Sequence, residues 1–239
     1  MMKRILFIAF LAISIKSIGA GIIKGNGISK TEKREVGSFS GLSSSGLMDV
    51  TIAYGNSTGI TLKGDENILP YVETFVKDGR LKIKVKDFTI IRPKLSITVH
   101  VSMTTINSVS QSGSGSITGE GNFSNDGETG FSMSGSGKIK LGFEKFGNAA
   151  ISMSGSGSVE LKGNISNNLS VHQSGSGHVD CEDAPSTNVS VQISGSGNTR
   201  INATKEITAH ISGSGSVYYT GNATIAEQHI SGSGGLRKI

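Results

Sequence analysis

The sequence predicts an all-β protein, a parallel β-helix (β-solenoid) with about 20 residues per turn and a divergent, strand-rich N-terminal cap region. Three observations predict it. The tetrapeptide SGSG occurs seven times, its first serines at Ser112, Ser134, Ser154, Ser174, Ser194, Ser212 and Ser231, spaced 22, 20, 20, 20, 18 and 19 residues apart. Flexible Gly/Ser linkers keep no such period, whereas stacked structural repeats do. Around each copy apolar and polar residues alternate, as in Ile151, Met153, Val159 and Leu161 against intervening serines, which is the period of a strand with one buried side. Finally, about 20 residues at ~3.3 Å each give roughly 66 Å of path, enough for one turn of a flattened or three-sided coil whose strands stack ~4.8 Å apart.

Residues 1–20 read as a secretory signal peptide: Lys3 and Arg4, an apolar run from Ile5 to Ile15, then small residues ending at Ala20. Its removal takes away three bases and no acid. The chain then carries 20 bases against 18 acids, and the net charge falls from +5 to +2. A near-neutral chain with few aromatics and no arginine cluster excludes nucleic acid as a partner. Export permits disulfides, but Cys181 is the single cysteine, so neither an internal bridge nor a lipid-modified N-terminal cysteine is expected. No transmembrane segment is expected after residue 20, and the protein is placed outside the cytoplasm, in the periplasm, at the cell surface or beyond it.

Residues 21–239 form one domain in this reading, divided into 25–106 and 107–239. The first part alternates in DVTIAY, RLKIKVK and KLSITVHV, with turn signals at Gly55-Asn56 and Asp78-Gly79. It reads as divergent first turns plus a cap, with a separate small β-domain as the alternative. The second part holds the regular SGSG turns. Paired glycines there remove Cβ where the wall bends or the backbone crowds the interior, the serines beside them form ladders of hydroxyls up the stack, and whether glycine or serine lines the interior at the bend stays open.

The stretches GNGISKTEKREVGSFSGLSSSGLMDVTI, GDENILPYVETFVKDGRLKIKVK and KLSITVHVSMTTINSVSQSGSGSI resemble the head GIN domain of auto-transporter adhesins. The resemblance extends over essentially all of 21–239, and HISGSGGLRKI is similar to the family's C-terminal edge. It implies a secreted β-helical interaction domain.

Candidate chemistry is sparse. The GSG turns lack the third glycine of a dinucleotide loop, and Gly137-Lys138 is followed by Ile139 where a phosphate loop needs Ser or Thr. A calcium roll would place an aspartate in each repeat, and only Asp180 follows its SGSG. Cys181 shares the apolar register of Leu141, Leu161 and Ile201, so it reads as a buried thiol. His172, His210 and His229 lie two residues before an SGSG, with no third zinc ligand evident beside His210 and His229. Six residues after each first serine runs a column containing Lys140, Glu160, Asp180 and Arg200. Stacked in register, these four form a charged surface row. It reads as a cross-strand ladder, Lys140 with Glu160 and Asp180 with Arg200, or as a carboxylate pair for polysaccharide hydrolysis or elimination. Seven N-x-S/T sequons, including those at Asn168 and Asn188, suit strand corners. The function expected is a non-enzymatic interaction domain, an adhesin head meeting glycans or cell-surface proteins through its polar walls. No cofactor, catalytic or metal residue is assigned. The alternatives are a polysaccharide-active β-helix enzyme and a purely structural envelope protein.

Overall fold

The structure, a computed structural model, describes residues 21–56, 59–121 and 123–239, so the expected signal peptide at 1–20 lies outside the described residues. The strands in chain order are β1 (Gly21–Lys24), β2 (Ser29–Glu35), β3 (Gly41–Gly46), β4 (Asp49–Tyr54), β5 (Gly59–Asp65), β6 (Val72–Lys77), β7 (Arg80–Val85), β8 (Thr89–Arg92) and β9 (Thr98–Met103). They continue with β10 (Ser108–Gly113), β11 (Ser116–Glu120), β12 (Ser124–Gly135), β13 (Lys138–Gly155), β14 (Ser158–Gly175), β15 (His178–Gly195), β16 (Asn198–Gly213), β17 (Ser216–Thr220), β18 (Thr224–Ser231) and β19 (Gly235–Lys238). Among the described residues no helix is long and apolar enough to cross a membrane.

From β10 onward the chain winds as a parallel β-solenoid with three walls. The first wall leads into SGSG and stacks Val109, Phe131, Ile151, Val171, Val191 and Ala209 one above another. The second wall leaves SGSG and stacks Ile117, Ile139, Val159, Val179, Thr199 and Val217. A short third wall, with Phe146, Ile165, Ser186 and Ala203 in register, returns the chain to the first. Because side chains alternate along each wall, these columns point inward and are buried, and the intervening serines face solvent.

The two glycines of SGSG do different jobs. The first takes a positive φ, +106° at Gly175 and +126° at Gly195, which a side chain would strain. Its carbonyl accepts two N–H groups from the turn above: Gly175 receives Ser196 and Gly197, and Gly155 receives Ser176 and Gly177. The second glycine lines the interior. A Cβ on Gly177 would stand 2.5 Å from the Gly157 carbonyl and 2.7 Å from the Met153 methyl. The bend is therefore both tight and hydrogen-bonded up the stack.

The N-terminal half closes this stack by leaving it and coming back. β3 and β4 supply the first and second walls of a turn on which β10 and β11 dock in parallel, Leu42 against Val109 and Val50 against Ile117. Ser45-Gly46-Leu47-Met48 thus occupies the place of an SGSG, with buried Met48 filling the space of the second glycine. The excursion from β5 to β9 then covers the other side of that turn: β7 pairs in parallel with β3, and β9 with β4. Antiparallel strands finish the end, β6 on β7 and β5 then β2 on β9. The β6–β7 hairpin has Asp78 and Gly79 both at positive φ, the type I′ turn suited to a two-residue connection. Ile68, Leu69 and Val72 plug the end of the core. Arg34 laces it shut by donating to the Val72 and Leu69 carbonyls at 2.5 and 2.9 Å. One contiguous apolar core runs from Leu42 to Tyr219.

The residues of the GNG and DEN stretches form the bolt of the cap. Buried Asp65 accepts backbone N–H groups from Gly27 at 2.6 Å, Lys94 at 2.8 Å and Leu95 at 3.0 Å. Burial pushes its carboxyl upward, but these three donors outweigh that and hold it below its ordinary value. Asn67 accepts from Asn26 and donates to Lys24, and Gly25 is small because a Cβ there would run into Asp65.

Candidate functional site

The second wall carries the charged column in register: Lys140 beside Glu160, Glu160 beside Asp180, Asp180 beside Arg200. Its ion pairs are more selective than its register. Lys140 Nζ lies 2.9 Å from Glu160 Oε1, and Lys138 Nζ lies 3.5 Å from Oε2. The Lys140 hydrogen bond outweighs partial burial and holds the Glu160 carboxyl below its ordinary range, so it is ionised at neutral pH. The expected partnership of Asp180 with Arg200 is replaced by another. Arg200 Nη1 meets Glu182 Oε2 at 3.5 Å, while Asp180 accepts the Glu182 N–H at 3.1 Å and lies 3.9 Å from His178. The short Asp180 side chain folds back onto its own strand, and the longer Glu182 reaches the arginine.

Cys181 is buried at the heart of the second wall, and burial pushes its thiol far above the ordinary cysteine range. It packs as an apolar side chain and is no nucleophile. Asn168 and Asn188, two of the sequon asparagines, stand in a ladder with Asn148: Asn188 donates to Asn168 at 3.1 Å, and Asn168 to Asn148 at 3.0 Å.

The first wall has a different surface. Two of its outward columns are built mainly of serine, with an imidazole and amide row at one end of one of them. Ser43, Ser110, Ser132 and Ser152 are succeeded in consecutive turns by His172, Gln192, His210 and His229. Beside them runs the unbroken serine column from Ser45 through Ser112 to Ser231. Between the two columns lies a groove of about 530 Å³, bordered by His172, Gln192, His210, Ser174, Ser194 and Ser212. A second groove of about 330 Å³, lined by Ser108, Ser110, Ser132 and Ala150, shares Ser152 and His172 with the first. They lie on either side of the column of Ser152 and His172 and together make up the trough of this wall. Among the described lining residues the one formal charge is Arg80, in the second groove; beside the first, Glu227 lies 3.6 Å from His210. The His210 and His229 rings are 6.4 Å apart, and among the described residues no group of three His, Cys, Asp or Glu could hold a metal ion.

Alternation exposes the serine side of every turn to a sequence reading. It leaves unstated that this wall, and not the charged one, carries the trough, and Gln192 goes unnoticed there.

The comparisons with known proteins agree with this architecture. A "putative adhesin" from Bacteroides fragilis superposes with a TM-score of 0.81 at 21% identity, covering 91% of this chain and 100% of its own. A "putative lipid binding protein" and a "putative adhesin", both from Parabacteroides distasonis, superpose with TM-scores of 0.70 and 0.67 at 23% and 20% identity. Each covers 91% of this chain, and the matches span 99% and 100% of those structures. At these identities the likeness is one of fold. No curated protein matches the chain. The family described as "Putative auto-transporter adhesin, head GIN domain" matches residues 38–223, and the chain belongs to that family.

Proposed function

We propose that the protein is an exported, non-enzymatic adhesin-type head that binds a neutral, linear glycan along its first wall. The observation that carries this reading is the segregation of the two long walls: charge lines the second, and the trough of the first is built from hydroxyl, amide and imidazole groups. Hydroxyls both donate and accept, as sugar hydroxyls do, and a column repeating about every 4.8 Å offers the same contact at each rung. Without an aromatic platform each contact is weak, so affinity comes from the number of rungs engaged. The family relationship supports the adhesin reading, and ionised, lysine-paired Glu160 is poorly suited to act as the acid of a hydrolase.

A glycan array probed with protein beginning at Gly21 tests this. Binding to neutral oligosaccharides should strengthen with chain length and fall at least tenfold when Ser174→Lys and Ser194→Lys are combined, while Glu160→Ala with Asp180→Ala leaves it unchanged. Absence of glycan binding, or loss of binding in the second-wall variant alone, would overturn the proposal. Shortening of the bound glycan would point instead to the polysaccharide-active alternative.

A further inference from the structure

The two ends of the solenoid differ in how they treat their strand edges. β2, at the N-terminal end, pairs on one side only among the described residues, with β5, and carries Lys30, Glu32, Lys33, Arg34 and Glu35 in seven residues. Charges of this density guard an edge against further pairing. At the other end, among the described residues, β18 pairs with β16 and β19 with β17 and neither has a second partner strand, so a row of backbone donors and acceptors faces outward. β18 reads TIAEQHIS, with one carboxylate and no lysine or arginine. The last turn also leaves core positions open. Ile225 stands over buried Ile207 yet is 45% exposed, and Ile230 and Leu236 stand half-buried over Ile211 and Val217. An apolar centre beside an unguarded strand edge is the surface of an interface.

We infer that this end is a dimerisation surface for a second copy of the chain, joined by antiparallel pairing of β18 with its twofold mate. The edge is self-complementary about Gln228. With Gln228 opposite its own mate, Glu227 of each copy stands opposite His229 of the other, so each carboxylate receives an imidazole N–H. The bulge at Ala226, where the register with β16 shifts, limits the pairing to Ala226–Ile230 and leaves Ile225 to pack beside it. Directly opposed residues in an antiparallel pair point to the same face, and Glu227 and His229 both face outward. The two first walls therefore share one surface and their troughs run end to end. The closed N-terminal end stops growth beyond two copies.

The inference stands independently of what the trough binds. Sedimentation of protein beginning at Gly21 should show a dimer, and Ile225→Lys, an exposed position, should weaken it at least tenfold with an unchanged circular dichroism spectrum. Gln228→Cys places two thiols across the twofold at a separation a disulfide can span. Under mild oxidation it should cross-link into dimers far faster than Tyr218→Cys on the second wall. A wild-type monomer, a dimer indifferent to Ile225→Lys, or equal cross-linking of the two cysteine variants would each overturn the inference.

Discussion

In the regular turns Ile151 lies between Phe131 and Val171, neighbours one repeat away in sequence on either side. In the cap Leu42 lies between Leu81 and Val109, brought together only because the chain leaves the stack at β5 and returns at β10. The first region is held by a rule applied afresh in every turn: a positive-φ glycine, then an interior glycine, then an inward residue that is aliphatic except at Thr199. The second is held by individual polar contacts used once, such as Asp65 and Arg34. Periodic structure thus tolerates no side chain at its repeated bends, whereas the cap tolerates no loss of its few bolts.

The largest expected effect breaks the repeated rule at one bend. Gly177→Ala puts a Cβ 2.5 Å from the Gly157 carbonyl, a backbone atom fixed by the turn below. The variant should lose about 3 kcal/mol of stability in urea denaturation, in line with overpacked core sites. Gly130, on the outward side of the first wall, has nothing within 4 Å of where its Cβ would stand. Gly130→Ala should be neutral or gain about 0.5 kcal/mol from a less flexible unfolded chain. Equal losses at both positions would show that the interior glycines owe nothing to crowding.

Next in size is the bolt of the cap. An asparagine at position 65 turns an N–H toward backbone donors that now meet a carboxylate oxygen, so Asp65→Asn should lower Tm on the order of 5 °C. The folded-state carboxyl titrates below its ordinary value of 3.8, so the stabilisation is complete well above that pH and is lost as pH falls through the folded value. The gap in Tm between wild type and variant should be widest at neutral pH and shrink in strong acid. A gap unchanged by pH would sever the link between the cap and this carboxylate.

The same contrast governs what could be read from the sequence. Alternation and the SGSG beat specify the walls, their inward columns and the stacking of Lys140, Glu160, Asp180 and Arg200, because each follows from local period. The divergent first turn expected within 25–106 could not be located at Ser43 to Met48: Met48 stands where a second glycine does elsewhere, and the next turn begins only at Ser108 after the long excursion. The ion pair of Arg200 was hidden for a smaller reason. Register puts Asp180 next to it, but a backbone N–H two residues along competes for the short carboxylate and leaves Glu182 to take the arginine. Periodicity assigns columns; it does not choose among rotamers within them.

The smallest expected effect sharpens the comparison where the two regions meet. One inward column of the first wall holds Gln111, Met133, Met153 and Gln173 in successive turns. Gln173, inside the regular stack, donates to the Gly177 carbonyl at 2.6 Å and accepts from the Thr199 hydroxyl at 2.7 Å. Gln111, stacked on Ser44 at the junction with the cap, is buried, and among the described residues neither its amide oxygen and nitrogen nor the Ser44 hydroxyl has a hydrogen-bond partner. Methionine fills this column two turns running, so the same substitution should have opposite signs at the two glutamines. Gln111→Met removes an unpaired amide and should stabilise by about 1 kcal/mol, whereas Gln173→Met strands Thr199 and should cost about 1–2 kcal/mol. Urea denaturation of the two variants side by side decides it, and a loss at Gln111 equal to that at Gln173 would mean that the junction, like the cap, holds its polar groups for a contact of their own.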